Sequence, residues 1–283
     1  SVSKSSVSAV CKDLDQEVSA FRSRPIEGNY PFLTVDATYF KVRENNRVTS
    51  KALMIAYGTN RQGKREILGF SAYRNESKDT WTDFLKGLKK RGLCGVMMIT
   101  SDAHEGIINA INKVFPDVPW QRCQFHFSRN ISDKVPKKYQ SGIRSELQDM
   151  FNCKTLKEAR AKRSQIITDY QDVAKEAMSC LDEGFESAMT VMTLPSGMRK
   201  YYRTSNHIER LNKELKRRSK VIGIFPNENS LIRLMGSVLI EQNSISQARK
   251  SIFGEDAYQK LLESNVREEL HHIAEEQTAL LSA

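Results

Sequence analysis

Apolar residues recur along the first part of the chain with two different periods. In residues 7–21 they are spaced three or four positions apart, as in an amphipathic helix. The stretches 32–42, 51–59 and 66–73 are rich in β-branched and aromatic residues and are separated by short polar turns. We therefore expect one helix followed by three successive antiparallel strands.

The next segment alternates helices and strands. A helix is expected up to Arg91, and the apolar run 96–99 that follows is short enough to be a buried strand. A helix over 104–114 and a short strand near 121–125 complete the series. This order predicts an α/β fold with a mixed five-stranded sheet and helices against its faces.

Residues 127–199 have a different texture, with few β-branched runs and many Lys, Glu, Ala and Gln residues at helical spacing. They predict an all-helical insertion. Another helix is expected over 206–218, and a loop over 223–227 then leads to two closing helices over 228–250 and 256–278. The expected organisation is a first segment over 1–29, the first part of the core over 30–126, the insertion over 127–199, the last core helix over 200–226 and the C-terminal helices over 227–283.

The composition favours an anionic partner. Lys and Arg number 44 against 34 for Asp and Glu, a formal net charge of +10, which makes nucleic acid the leading candidate. A solvated basic surface would give the same count. The five cysteines are odd in number and form no Cys-x-x-Cys pair, which favours a reducing compartment. No apolar run approaches the roughly 18 residues that suggest a membrane span, so we expect a soluble cytoplasmic protein without a membrane partner.

Two aspartates occupy positions at which a carboxylate needs a partner. Asp36 lies within the apolar strand 32–42, where a charge is costly unless something compensates it. A metal ion would do so, and an exposed strand face or a salt bridge is the alternative. Asp102 ends an apolar strand, where the sheet edge can present a ligand; its alternative role is to cap the following helix.

A third carboxylate lies on a late helix. Ile208, Leu211 and Leu215 form the buried stripe of that helix, so Glu209 lies at its border and can face the sheet edge. The alternative is a capping arrangement with Asn206. Three such oxygen ligands suit Mg²⁺ or Mn²⁺. Two ions about 4 Å apart could then activate a water or a 3′-hydroxyl for phosphoryl transfer and stabilise the leaving oxygen.

The residues around these carboxylates resemble the bacterial Mutator-type family of insertion-sequence transposases. The resemblance covers nearly the whole chain, from about residue 7 to about residue 247. It is carried by the segments Asp36–Tyr39, Ser101–His104, Arg122–His126, Asn206–Glu214 and Gly223–Pro226.

The resemblance implies an RNase H-like catalytic fold interrupted by the helical insertion. It also implies a DDE triad of Asp36, Asp102 and Glu209 that uses Mg²⁺ or Mn²⁺. The implied substrate is double-stranded DNA, namely the terminal inverted repeats of an insertion sequence and a target, cleaved and joined in the bacterial cytoplasm at the nucleoid. Synapsis of two DNA ends implies a homodimer or a larger assembly on DNA.

Members of this family carry a helix-turn-helix region upstream. Residues 3–10 resemble its last helix, and the first residue is Ser1 rather than Met. We therefore expect that an upstream portion precedes this chain, and that residues 1–29 contain a remnant of it.

Two further features accompany the resemblance. Cys123 and His126 match a family signature; tetrahedral zinc requires four ligands and no second such pair occurs, so we expect a role in packing or in DNA positioning. Basic residues on and before the late helix predict a surface that follows DNA phosphates, although an ordinary solvated helix face would have the same composition. They are Arg203, Arg210, Lys213, Lys216, Arg217 and Arg218.

Three hypotheses therefore stand at this point. The first is an active DDE transposase. The second is a DNA-binding relative that has lost its chemistry, against which the intact triad counts. The third is an RNase H-like nuclease for RNA–DNA hybrids, and the long insertion and the pair Cys123 and His126 count against it.

Overall fold

The computed structural model describes residues 3–282 and has a mixed six-stranded sheet at its centre. The sheet order is β3-β2-β1-β4-β5, and β6 also pairs with β1. The first three strands are antiparallel to one another, whereas β4 and β6 run parallel to β1 and β5 runs parallel to β4. The strands are β1 (Phe32–Glu44), β2 (Arg47–Thr59), β3 (Arg65–Tyr73), β4 (Met98–Ser101), β5 (Trp120–Arg122) and β6 (Ile224–Phe225).

Twelve α-helices are described within residues 3–282, together with short 3-10 helices at Lys137–Tyr139 and Thr190–Thr193. None of these helices is long and apolar enough to cross a membrane. They are α1 (Lys4–Ser23), α2 (Lys78–Lys90), α3 (Glu105–Val114), α4 (Gln124–Asp133), α5 (Gln140–Phe151), α6 (Leu156–Tyr170), α7 (Lys175–Met189), α8 (Ser196–Tyr202), α9 (Asn206–Ser219), α10 (Glu228–Ala248), α11 (Glu255–Glu263) and α12 (Val266–Ser282).

Side chains alternate between the two faces of the sheet along each strand. Both faces have apolar side chains, and helices cover both. Leu33 and Val35 of β1 pack with α2 and α3 in one apolar cluster. Phe40 and Val42 pack on the opposite face with α9 and α10. Asp36 has the parity of Phe40, so the strand directs its carboxylate toward the face that α9 covers.

One edge of β1 is only partly paired. Along its whole length β1 pairs with β2, so β4 and β6 share the other edge. There β4 pairs with Phe32–Thr34 and β6 pairs with Lys41 and Val42. Between these two pairings, within the described residues, the edge has no strand partner. Asp36 lies in that gap, which gives a ligand or a side chain access to it.

The helices from α4 to α7 occupy the region in which the sequence predicts helices, and they form an apolar cluster of their own. They remain tied to the sheet. The buried side chain of Gln121 on β5 donates to the carbonyl of Ala188 and accepts from the backbone N–H of Val191, at 2.8 and 2.6 Å.

The sheet differs from the prediction in its strand number. Five strands are expected from the sequence, but six are present because residues 224–225, predicted as loop, pair with β1 as β6. Phe225 is buried against Phe40, with ring centroids 6.0 Å apart. Burial of this aromatic ring brings the backbone to the sheet edge, a tertiary effect that a two-residue strand does not reveal in its sequence pattern.

Two strand boundaries also differ. The strand predicted over 96–99 lies at Met98–Ser101, where the backbone finds partners on both β1 and β5. The strand predicted near 121–125 ends at Arg122. Helix α4 begins at Gln124, whose backbone N–H donates to the carbonyl of Arg203 at 2.9 Å.

The C-terminal region contains three helices, not two. α10 matches the first predicted closing helix, but the second is divided into α11 and α12. Ser264 interrupts it: its backbone is extended and its hydroxyl donates to the carbonyl of Leu261 at 2.7 Å, a local bond that competes with helical pairing. The break allows Leu261 and Leu270 to bury in the same cluster.

Candidate active site

Asp36 is a half-buried carboxylate in the unpaired stretch of β1. Its Oδ2 accepts from the side-chain amide of Asn212 on α9 at 2.7 Å, and its Oδ1 accepts from the backbone N–H of Ala37 at 2.9 Å. Burial, together with the negative charge of Asp102, raises the pKa of Asp36 to about 7. Two alternatives were predicted for Asp36, a solvated strand face and a salt bridge. Within residues 3–282 its surroundings match neither.

Asp102 follows β4 directly and lies close enough to Asp36 for its charge to act on that carboxyl group. The alternative role as the helix cap is wrong. The N-cap of α3 is His104, whose Nδ1 accepts from the backbone N–H of Gly106 at 3.2 Å. Asp102 Oδ1 accepts from the backbone N–H of His104 at 3.3 Å, which orients the carboxylate without making it the cap.

Glu209 lies one turn before Asn212 on α9, on the same side of the helix. Its Oε1 is 3.1 Å from the hydroxyl of Ser205, which donates to it, and 3.7 Å from Nε2 of His126. The capping alternative is wrong in its residue, because the N-cap of α9 is Ser205 and Asn206 is already helical, but the Glu209 carboxylate does reach back to the N-cap side chain. The Glu209 side chain is 18% exposed and faces the protein interior rather than open solvent.

His126 links the carboxylates electrostatically. Its contact with the Cys123 thiol, together with the negative charges of Glu209 and Asp36, raises the pKa of His126 to about 9. In turn the His126 charge lowers the pKa of Asp36. Glu209 is thereby joined to the Asp36 and Asp102 pair through one imidazole.

Cys123 holds the start of α9. It is fully buried, and its Sγ accepts from the backbone N–H of Ser205 at 3.4 Å and lies 3.2 Å from the Ser205 hydroxyl oxygen. Burial alone would raise the pKa of the thiol, but contacts with His126 and Ser205 lower it. Because Ser205 also contacts Glu209, the signature cysteine reaches the third carboxylate through a single residue.

The donor atoms of Cys123, His126 and Glu209 lie within 4.8 Å of one another. In the described part of the chain, the three carboxylates of the predicted triad do not form a set that close. Three donors are one fewer than a closed tetrahedral zinc site requires. The expected role of Cys123 and His126 in packing or DNA positioning stays a prediction.

Three residues of the site were not predicted from the sequence. Asn212 holds Asp36, and its position three residues after Glu209, on the same helix face, is a signal that could have identified it. Ser205 joins Cys123 to Glu209, and no sequence pattern marks it. Glu76 is a fourth nearby carboxylate: burial raises its pKa, a Tyr39 contact lowers it, and the Asp102 charge raises it.

The hard oxygen donors fit a divalent cation. Asp36 and Asp102 are neighbouring carboxylates, and within residues 3–282 the half-buried Asp36 carboxylate accepts hydrogen bonds only from the amide of Asn212 and the backbone of Ala37. A buried, weakly compensated negative charge is what a Mg²⁺ or Mn²⁺ ion would neutralise, with waters completing its coordination. Glu209 supplies a third carboxylate on the opposing helix.

Two of the predicted DNA-contacting residues are engaged in ion pairs. Arg217 and Arg218 both contact Glu214, at 2.7 and 2.8 Å, and Arg218 also contacts Glu241 at 3.2 Å. Their charges are therefore partly neutralised within the protein. Surface pairs of this kind contribute little to stability.

The other four predicted DNA-contacting residues differ in their surroundings. Arg203 donates to the side chain of Asn152 at 2.8 Å, and Lys216 donates to a backbone carbonyl of β1. Arg210 and Lys213 are exposed and have no ion pair among residues 3–282. These two residues present the most available positive charge on α9.

The sequence comparisons identify the class of protein, which is a transposase. Residues 1–248 match the family described as "Transposase, Mutator family". The chain belongs to the Mutator family of transposases.

Several curated proteins are similar to the chain. The transposase for insertion sequence element IS256 in transposon Tn4001 from Staphylococcus aureus is 44% identical over 257 residues, covering 89% of this chain and 66% of that protein. The transposase for ISRM5 from Rhizobium meliloti is 38% identical, covering 84% and 60%. The transposase for IS1081 from Mycobacterium tuberculosis is 37% identical, covering 86% and 59%. The chain thus spans about two thirds or less of these relatives.

Proposed function

We propose that this chain is the catalytic region of a DDE transposase that cleaves and joins DNA strands at the terminal inverted repeats of an insertion sequence. The observation that carries the proposal is the carboxylate Asp36, buried beside Asp102 at a gap in the sheet edge and held by the helix that bears Glu209. The relatives named as insertion-sequence transposases support the reaction class.

We propose an RNase H-like fold for the core. The sheet order and strand directions support it: three antiparallel strands are followed by two parallel strands on the other side of β1. In this arrangement the first strand is central, and the loop after β4 lies next to it. That adjacency is what allows carboxylates distant in sequence to act together.

In this mechanism Asp36, Asp102 and Glu209 hold Mg²⁺ or Mn²⁺. The chemistry that such ions supply when bound is activation of an attacking water or 3′-hydroxyl and stabilisation of the leaving oxygen. Asn212 fixes the Asp36 carboxylate by donating to Oδ2, which leaves the other lone pairs of that oxygen available. Ser205, held by Cys123, orients Glu209 in the same way. These are positioning residues.

The proposed partner is double-stranded DNA, both transposon ends and target, in the bacterial cytoplasm. The net charge of +10 supports it, because Lys and Arg contacts to phosphate dominate nonspecific affinity. We further propose a homodimer or larger assembly on DNA, because two ends must be joined in one reaction.

The test is cleavage of supercoiled plasmid and strand joining of an inverted-repeat oligonucleotide in Mg²⁺ or Mn²⁺. We expect Asp36→Asn, Asp102→Asn and Glu209→Gln each to abolish both reactions, because each removes a charged oxygen ligand from a site that acts as a unit. Binding of the metal, measured by titration calorimetry, should weaken in the same variants.

Matched controls use acidic residues away from the cluster. Asp117→Asn and Glu268→Gln remove the same charges from exposed positions, and both should retain activity. Strand joining by any of the three triad variants would refute the assignment. Metal-independent DNA binding without cleavage by the unmodified chain would instead support a catalytically silent relative, and preferential cleavage of RNA–DNA hybrids would support a general nuclease.

A further inference from the structure

A basic cavity lies beside α9, on the side of the helix opposite Glu209 and Asn212. A cavity of about 180 Å³ opens where the turn between β2 and β3, the start of α9 and the end of α10 meet. It is separate from the carboxylates, since Glu209 and Asn212 do not line it. The polar and aromatic side chains that line it include Tyr57, Arg65, His207, Arg210, Arg249 and Lys250.

The cavity concentrates positive charge without a counter-charge. Arg65, Arg210, Arg249 and Lys250 all contribute to its wall, and no Asp or Glu does. None of the four cations has an ion pair within residues 3–282. Converging like charges repel one another, and the repulsion is strongest where solvent is partly excluded. An anion in the cavity would relieve this repulsion.

Arg65 has a buried hydrogen-bond donor without a partner in the described part of the chain. Its Nη2 donates to the carbonyl of Tyr201 at 3.1 Å, but its Nε is buried and has no hydrogen-bond partner in the described part of the chain. A buried donor left unpaired costs about 1–3 kcal/mol, and more when the group is charged. An oxyanion in the cavity would be attracted by the charge of this guanidinium, which lines the wall.

The pKa shifts of His207 and Tyr57 show that the arginine charges lie close to both rings. Burial lowers the pKa of His207 well below its usual value, and the charges of Arg65 and Arg210 lower it further. Burial raises the pKa of Tyr57, which the charges of Arg65 and Arg249 oppose. Three arginines thus act on adjacent rings, so their charges converge on one place.

The walls of the cavity are fixed in position by hydrogen bonds. Tyr57 donates to the hydroxyl of Ser246 on α10 at 2.5 Å. Lys64 donates to the backbone carbonyl of Arg249 at 2.6 Å, and the backbone N–H of Ile252 donates to the carbonyl of Gly63 at 3.0 Å. These bonds join the β2–β3 turn to the end of α10, so the site is largely preformed and loses little freedom on binding.

We propose that this cavity binds a backbone phosphate of duplex DNA, with Arg65, Arg210 and Arg249 as the principal donors. Arginine is suited to this role because its planar guanidinium offers paired donors that match the oxygens of phosphate. Arg210 directly follows Glu209 on α9, so a phosphate held here would fix the register of the duplex relative to the helix that carries the third carboxylate. The choice of DNA as the source of the phosphate rests on the proposed function.

The test is the salt dependence of binding to a duplex oligonucleotide in EDTA, where cleavage plays no part. We expect Arg210→Gln and Arg65→Gln to weaken binding and to make the slope of log affinity against log salt shallower by about one, because one phosphate contact is lost. The matched control is Arg160→Gln, which removes the same charge from α6 at an exposed position already paired with Glu186. It should leave the slope unchanged.

Inorganic phosphate separates the possible sources of the anion. We expect it to stabilise the unmodified chain against thermal unfolding and to lose this effect in Arg210→Gln, an exposed position where folding is not at risk. Phosphate stabilisation with an unchanged DNA slope would identify a free-anion site and overturn the DNA assignment. An equal loss of slope in Arg210→Gln and Arg160→Gln would overturn the cavity in favour of diffuse surface charge. Neither result depends on whether the triad is catalytic.

Discussion

Replacement of Asp36 by asparagine should stabilise the metal-free protein, even though it removes a proposed catalytic residue. A carboxyl group whose pKa is raised from 3.8 to about 7 on folding costs the folded state up to about 4 kcal/mol when it is ionised. The side chain is only half-buried, so solvent screening reduces this cost, and we expect a gain of about 2 kcal/mol.

The stabilisation by Asp36→Asn should depend on pH, because Asp36 titrates and asparagine does not. Between the unfolded pKa near 3.8 and the folded pKa near 7, the folded state binds the Asp36 proton more tightly than the unfolded state does. The free energy of unfolding therefore falls as pH rises through this window. The asparagine side chain does not titrate in this range, so the advantage of Asp36→Asn should be absent near pH 4 and complete above about pH 7.

The structure indicates that the substitution fits. Asn212 Oδ1 is buried without a hydrogen-bond partner among the described residues, so a rotated Asn212 amide can accept from the amide that the substitution introduces. The assay is urea unfolding in EDTA at about pH 5 and about pH 8, with Asp117→Asn as the control for loss of one exposed charge. An advantage equal at both pH values, or none at the higher one, would refute this account. Added Mg²⁺ should stabilise only the unmodified chain.

Three further substitutions test the framework around the site. Cys123→Ala should cost about 1–2 kcal/mol of stability and lower the strand-cleavage rate while DNA affinity in EDTA is retained; a parallel loss of both would contradict a positioning role. Leu215→Ala empties a fully buried position on α9 and should cost about 2–5 kcal/mol in urea unfolding. Gly63→Ala should destabilise by at least about 1 kcal/mol, because Gly63 has φ +71° and a Cβ would collide with the Phe253 backbone; an unchanged melting temperature would contradict it.

The sequence predicts most of the elements because their patterns are local. The helix at α2 has a capping box at Ser77 and a stripe that includes Trp81 and Leu85, all of which are adjacent in sequence. The boundaries that were wrong depend on distant partners instead. β6 exists because Phe225 buries against Phe40, and α12 separates from α11 because residues on both sides of Ser264 reach one cluster.

The carboxylates could be proposed from their positions in the chain, but their supports could not. Asp36 is recognisable as a charge within an apolar strand. That Asn212 donates to it, across 176 residues, follows from how α9 crosses the gap in the sheet edge. The basic cavity is still less visible in sequence, since Arg65, Arg210 and Arg249 come from three separate segments.

The two ends of the helical insertion explain how Glu209 reaches the sheet despite the long intervening segment. The backbone N–H of Gln124 donates to the carbonyl of Arg203 at 2.9 Å, and Cys123 accepts from Ser205. The chain thus leaves the sheet and returns to it at the same place, so the position of α9 is set by these bonds at the base rather than by the length of the insertion. The contacts of Gln121 with the carbonyl of Ala188 and the N–H of Val191 oppose simple removal of the insertion, because excision would leave the buried Oε1 of Gln121 without its donor.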